Sequence, residues 1–256
     1  MNTFAKLPTI RQHEVAFQTN LYADANPTRR WLHETRCDWV AGAIERYTRA
    51  HDTVMEVGVG CGIFTRLLAA RCASVLAVDI NPDFLVALGP FERIARLQAD
   101  ATEALPVGGM RVVLSSEVLE HVPRDQSLAM LRNLAGAIRD DGFLILTTPQ
   151  RYASMELAAR LLRFGPVLAL ARRLYGPVAP LGHTNLLTRR ELRQQLSAAG
   201  FEVVEMARRG LYIPGLAEIG GRVGQRLAAA LVPLLDRIPV LGGLLWTQCY
   251  VARRVP

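Results

Sequence analysis

Apolar residues repeat along this chain with two periods that take turns. Trp31, Thr35, Trp39, Val40, Ala43, Ile44 and Tyr47 recur at helical spacing and predict a helix over about residues 29–49. Short β-branched and aliphatic runs follow: TVMEVG at 53–58, SVLAVDI at 74–80, IARLQA at 94–99, MRVVLSS at 110–116 and GFLILTTP at 142–149. Runs this continuously apolar suit strands covered on both faces, as in a parallel sheet flanked by helices. Helical patterns fill the gaps at about 62–72, 83–89 and 125–139. Right-handed crossovers would set these helices on both sides of the sheet. Thr188 and Glu191 have the spacing of a capping box that opens a helix ending at Gly200. FEVVEMA at 201–207 then reads as a sixth strand, 216–235 as an amphipathic helix, and LLWTQCYVA as a last strand.

Two stretches depart from this alternation. Residues 1–28 read as an N-terminal arm or lid ahead of one domain over 29–256. Residues 151–180 hold two helical patterns split by Gly165-Pro166 and read as an insertion. In its first helix Glu156, Arg160 and Arg163 share one face and Met155, Ala159 and Leu162 the other. Together with the apolar segment from Leu227 to Trp246 and the basic total, this suits a helix lying on an anionic membrane surface, the alternative being that both stretches cap the functional site or pack at a dimer interface. The segment from Leu227 to Trp246 approaches membrane-spanning length. Pro233, Asp236, Arg237, Pro239 and the Gly242-Gly243 pair leave it without a run of about 18 apolar residues, so it does not read as a transmembrane helix.

Half the residues are hydrophobic and 21% are charged, which supplies a sizeable core and excludes wholesale disorder. The net charge of +7 is arginine basicity, since Lys6 is the one lysine. Arginine suits bidentate contact with phosphate or carboxylate, but a coding bias gives the same count. Basic patches interleaved with aromatics are absent, and no nucleic-acid partner is expected. Cys37, Cys61, Cys72 and Cys249 show no metal-binding spacing, so neither a zinc site nor a disulfide is expected. The opening residues lack the apolar core of a signal peptide, and a cytoplasmic location is expected.

The chemistry concentrates at strand ends. Glu56-Val57-Gly58-Val59-Gly60-Cys61-Gly62 spells E-x-G-x-G-x-G where the first strand hands over to a helix. Glycines there let a ligand approach the backbone, because no Cβ stands in the way. The segment resembles motif I of the class I S-adenosylmethionine (SAM) dependent methyltransferases. That resemblance implies SAM as cofactor and a Rossmann-like α/β fold: a seven-stranded, mostly parallel sheet with helices on both faces, the last strand antiparallel, and here a helical insertion after strand five. It assigns cofactor contacts to Glu56, Gly58, Gly60 and Gly62. Asp79 ends the second strand, where a carboxylate can accept from two ribose hydroxyls. By resemblance Ile80 packs on the adenine, Asp100 and the Ala101 amide read its edge, and the backbone at Ser116 meets the methionine end.

Ser115 to Val122 resembles the S-x-E-V-L-E-H-V stretch of ubiquinone-biosynthesis and related small-molecule O-methyltransferases. Glu117 to His121 would line the space between cofactor and acceptor, with His121 as candidate base or as a plain structural histidine. His183, in the loop before Thr188, is the second candidate base or a loop histidine held near the helix start. Oxygen methylation needs little beyond a deprotonated acceptor aligned with the sulfonium methyl. No metal is assigned, although Glu117, Glu120 and His121 have the spacing of a divalent-metal site seen in some relatives.

SSEV stands where base N-methyltransferases carry N/D-P-P-Y, and no cysteine follows a proline as C5 pyrimidine chemistry requires. The expected acceptor is a small molecule, apolar or lipid-like, methylated on oxygen. Peripheral membrane contact at the inner face and a homodimer are further partner expectations. The alternative is a SAM-binding protein without transferase activity, acting as partner or carrier.

Overall fold

A computed structural model describes residues 24–161, 165 and 182–255. Its first element, α1 (Pro27–Tyr47), starts where Asn26 accepts hydrogen bonds from the Thr28 and Arg29 amides and proline occupies the first turn. Leu32, Trp39, Val40, Ala43 and Ile44 form its buried stripe.

The chain then alternates: β1 (Thr53–Val57), α2 (Ile63–Arg71), β2 (Ser74–Asp79), α3 (Pro82–Ala87), β3 (Ile94–Gln98), β4 (Met110–Ser116), α4 (Ser127–Ala137) and β5 (Ile138–Pro149). There follow α5 (Ser154–Leu161), α6 (Arg189–Ala198), β6 (Phe201–Arg209), α7 (Leu216–Ile219), α8 (Gly221–Arg237) and β7 (Thr247–Arg254). Short 3-10 turns sit at Leu119–His121 and Leu241–Leu244.

The seven strands form one sheet in the order β3-β2-β1-β4-β5-β7-β6. The first five run parallel, and β7 lies antiparallel between β5 and β6. This is the expected Rossmann-like arrangement. One face is covered by α1, α2 and α3, whose Val40, Ile44, Phe64, Leu68 and Phe84 pack on Val54, Val75 and Leu114. The other carries α4 and α6, with Leu131, Leu134, Leu192 and Leu196 packed on Val57, Val113 and Leu146.

Two element boundaries differ from the sequence expectation. Strand β5 begins at Ile138, inside the predicted helix over 125–139, because Ile138 pairs with Met110 ahead of a register shift at Met110/Val112. The helix expected over 216–235 is two helices. A Cβ on Gly220 would stand 2.5 Å from the Leu216 carbonyl oxygen, and Gly221 takes φ +52°, so the chain turns there before α8 starts.

Of the expected arm, residues 1–23 lie outside the described residues, and Pro27 and Thr28 belong to α1. Of the expected insertion α5 is seen, while residues 162–164 and 166–181, with its second helical pattern, lie outside the described residues. The outward face read for Glu156 is corrected: Glu156 is 4% exposed and turned inward. No helix among the described residues is long and apolar enough to cross a membrane.

Candidate active site

Parallel strands bring their carboxyl ends to one edge, and sheets of this kind take ligands where the strand order reverses, here between β1 and β4. The glycine turn leaves β1 at that point. Gly58, Gly60 and Gly62 all have φ between +51° and +78°, a region that side chains resist. A Cβ on Gly58 would also stand 2.2 Å from Val118 Cγ2, so the turn is tied to the segment that follows β4.

Asp79 meets this turn directly. Its Oδ2 accepts from the Val59 amide at 2.9 Å and its Oδ1 from the Asn81 amide at 2.8 Å. Burial raises its pKa, and the backbone donors of Asn81, Val59, Gly60 and Ile80 pull it back. A carboxylate has about four acceptor sites, which a bound ligand would share with these backbone donors. Beside it Ile80, just past the strand end, is 64% exposed.

Glu56 lies under the turn on the α2 side. It is 2% exposed and accepts a short hydrogen bond from Thr65. Burial raises its pKa to about 8, against a smaller opposing effect of the Thr65 hydroxyl. The folded chain therefore keeps this proton at neutral pH while the unfolded chain has lost it above about 4.5. Stability falls as pH rises from about 4.5 to about 8, by a few kcal/mol in all. Glu56→Gln imitates the protonated form, so its melting temperature should exceed the parent's at pH 8 and converge with it near pH 5. Parallel melting curves at both pH values would contradict this.

Further along the edge, Asp100 accepts from the Thr102 amide and hydroxyl, each at 2.8 Å, which fixes the turn after β3. The neighbouring Ala101 is buried, with its carbonyl taken by Asn133. Ser116 bonds the Thr147 hydroxyl at 2.8 Å at the end of β4.

Glu117 has φ +57°, an unusual value for a side-chain-bearing residue. Its carboxylate accepts from the Thr147 and Thr247 hydroxyls and pairs with Arg36 at 3.1 Å. Arg36 in turn stacks over Trp246, with 5.4 Å between guanidinium carbon and ring centroid. Glu117 is thus held by three partners, and the metal-like spacing of Glu117, Glu120 and His121 does not translate into one cluster among the described residues.

A different trio forms instead. Ligand atoms of Glu120, His121 and His183 all lie within 4.8 Å of one another. Glu120 is 1% exposed; its Oε2 accepts from Thr148 at 3.0 Å, while Oε1 is buried without a hydrogen-bond partner. Burial, then the Glu117 charge, push its pKa well above the ordinary carboxylate range. The His121 and His183 rings meet edge-on, 5.5 Å between centroids. Partial burial and the His183 charge lower the His121 pKa.

His183 reaches the trio because its loop is fastened to the turn after β4. The Thr184 and Asn185 amides donate to the Glu120 carbonyl, and the Asn185 side chain donates to that of Leu119. Its Nδ1 lies 2.8 Å from Glu156 Oε1. Sequence reading named both histidines and missed Glu156, Arg36, Thr148 and Thr247. No local signal marks these, since each arrives from a distant segment.

Comparison with known proteins follows the same line. The model of a family described as "Methyltransferase domain" matches residues 28–206. A ubiquinone biosynthesis O-methyltransferase of Xanthomonas axonopodis pv. citri is 29% identical over 163 residues, 59% of this chain and 66% of that protein. Others from Xanthomonas campestris are matched over 57% of their length, so this chain spans less than two thirds of these curated relatives. One from Cupriavidus pinatubonensis is 26% identical over 77% of this chain and 78% of that protein.

Among solved structures, the N-methyltransferase NodS of Bradyrhizobium japonicum WM9, in complex with S-adenosyl-L-homocysteine, superposes with a TM-score of 0.59. It covers 95% of this chain and 96% of that one at 15% identity. The [4+2]-cyclase SpnF also superposes, with a TM-score of 0.55 at 15% identity, over 85% of this chain and 80% of that one. Such likenesses establish the fold and leave the reaction to the site. With the family model matched over most of its length, this chain belongs to the methyltransferase-domain family of SAM-dependent methyltransferases.

Proposed function

We propose that the chain transfers the SAM methyl group to an oxygen of a small, apolar acceptor, with His183 as the general base. The observation that carries this is the Glu156–His183 pair, 2.8 Å apart, held against His121 in a turn whose Val118 abuts the cofactor glycines. A buried carboxylate on one ring nitrogen orients the imidazole and leaves the other nitrogen to take a proton.

Bound SAM would supply an electrophilic methyl on a sulfonium. The chain's own residues bind and align: Asp79 accepts the ribose hydroxyls, Ile80 covers the adenine, and Asp100 and the Ala101 amide read its edge. Gly58, Gly60, Gly62 and the backbone at Ser116 leave room for the methionine end. Glu56, closed off beneath the turn, contributes by fixing its shape. His121 borders the acceptor. Oxygen as the methylated atom is supported by relatives named as O-methyltransferases of ubiquinone biosynthesis. An apolar acceptor is supported by Tyr152 and Leu161, large side chains left open around α5, the helix that supplies Glu156.

Incubation with SAM and a panel of apolar phenols tests this through S-adenosylhomocysteine release and the added methyl mass on the phenol. Cofactor binding without release on any member of the panel favours the carrier alternative.

One observation favours a second reading in which a divalent ion assists. The unpartnered Glu120 Oε1 beside two imidazoles is a two-histidine, one-carboxylate donor set that suits a transition-metal ion. Glu120, His121 and His183 would hold the ion, and its charge would favour the acceptor's deprotonated oxygen. With His183 as base alone, activity survives EDTA treatment undiminished. A loss of about tenfold or more, restored by zinc, manganese or magnesium, would put the ion in its place.

A further inference from the structure

Helix α8 turns its hydrophobic side away from the protein. It rests on the rest of the fold through small residues, Gly224 and Ala228 being its buried positions. On that inner side Asp236 holds the buried Arg208, Nε to Oδ1 at 2.6 Å. The large side chains point outward, in a row that starts on α7 and continues past the helix end: Ile219, Val223, Leu227, Leu234, Ile238 and Val240. Ile219 and Val240, at the two ends, are each 84% exposed, and Val223 is 68% exposed. An ordinary surface helix has the opposite polarity. A contiguous exposed apolar row of this kind marks an interaction surface.

Its flank says what kind. At 3.6 residues per turn, Arg222, Arg226 and Arg237 fall together along one side of the row, and all three are exposed. Residues 216–237 carry two carboxylates, and both are engaged within the subunit. Glu218 is taken by Arg29 and Tyr212, and Asp236 by Arg208. A second copy docked antiparallel on this face would set like arginine rows against each other without α7 or α8 acids to neutralise them, and one docked parallel would leave both rows without counter-charge from these helices. An anionic bilayer supplies both a medium for the row and counter-charge for its flank, with the arginines extending to the headgroups.

We propose that the outer face of α7 and α8 is a docking surface for anionic phospholipid bilayers. The docking face is joined to the sheet's carboxyl edge. Gln150, next after β5, donates to the Gly242 and Leu245 carbonyls, and its own amide bonds the Trp246 carbonyl. The proposal stands on this surface alone and does not depend on the acceptor or the base assigned above.

Sedimentation of the full chain with phosphatidylcholine vesicles, with and without phosphatidylglycerol, tests it. The parent should sediment with the anionic vesicles, less so as salt rises. Leu227→Asp with Leu234→Asp should weaken that partition by about tenfold or more, and Arg226→Glu by about fivefold. Cooperative thermal unfolding like the parent's shows that each variant is folded. The proposal is overturned by a parent that stays in the supernatant, by binding indifferent to lipid charge, or by variants that bind as the parent does. It is equally overturned by a parent dimer that the leucine variants dissociate in the absence of any vesicle binding.

Discussion

Asp79→Ala is expected to weaken SAM binding by about a hundredfold or more. The carboxylate does two things at once. It ties the glycine turn to β2 through the Val59 amide at 2.9 Å, and in the reading above it accepts from the ribose hydroxyls. Each charge-assisted hydrogen bond contributes roughly 1.5–3 kcal/mol, so losing the ribose pair alone accounts for the expected factor. The freed turn adds to the loss. Asp79→Asn keeps one uncharged acceptor and should fall between parent and alanine variant in calorimetry. Equal affinity of parent and Asp79→Ala would remove the ribose assignment.

His183→Gln is expected to lower kcat by roughly 10²–10⁴ with the SAM dissociation constant unchanged, the range for loss of a positioned base. Glu156→Gln keeps the hydrogen-bonding shape but weakens the stabilisation of the imidazolium that forms when the base takes its proton. Its kcat should fall about tenfold or more, and His183→Gln with Glu156→Gln should be little worse than His183→Gln alone, because the two residues act as one unit. His121→Gln should cost less than His183→Gln, since among the described residues the buried Glu156 carboxylate pairs with His183. A His183→Gln variant with full turnover would leave the acceptor's deprotonation to another group.

What could be read in the sequence was what lies close together along the chain. Strands β1 to β4 are short apolar runs, and the glycine turn is seven consecutive residues with Asp79 ending the next strand. Strand β5 reaches further back than periodicity shows, because its first residues, Ile138 to Asp141, are polar enough to continue the pattern of α4. Only pairing with Met110, 28 positions earlier, shows them to be strand. The position of β7 between β5 and β6 is likewise a matter of long-range pairing that local periodicity does not carry.

Both corrections at the site have the same cause. Glu156 looked like part of a solvated charged face, yet His183, 27 residues away, draws it inward. Glu117 looked available beside Glu120, yet Arg36 and Thr247 claim it from opposite ends of the chain. Letter spacing on a 3-10 turn cannot say which carboxylate is already paired.

The measurement that bears most directly on this account is a crystal structure of the chain with S-adenosylhomocysteine. Both ribose hydroxyls are expected within hydrogen-bond distance of the Asp79 carboxylate, with the adenine against Ile80 and the homocysteine sulfur facing His183 across the acceptor space. A nucleoside bound elsewhere, or a glycine turn that closes over Asp79 and excludes it, would contradict the account.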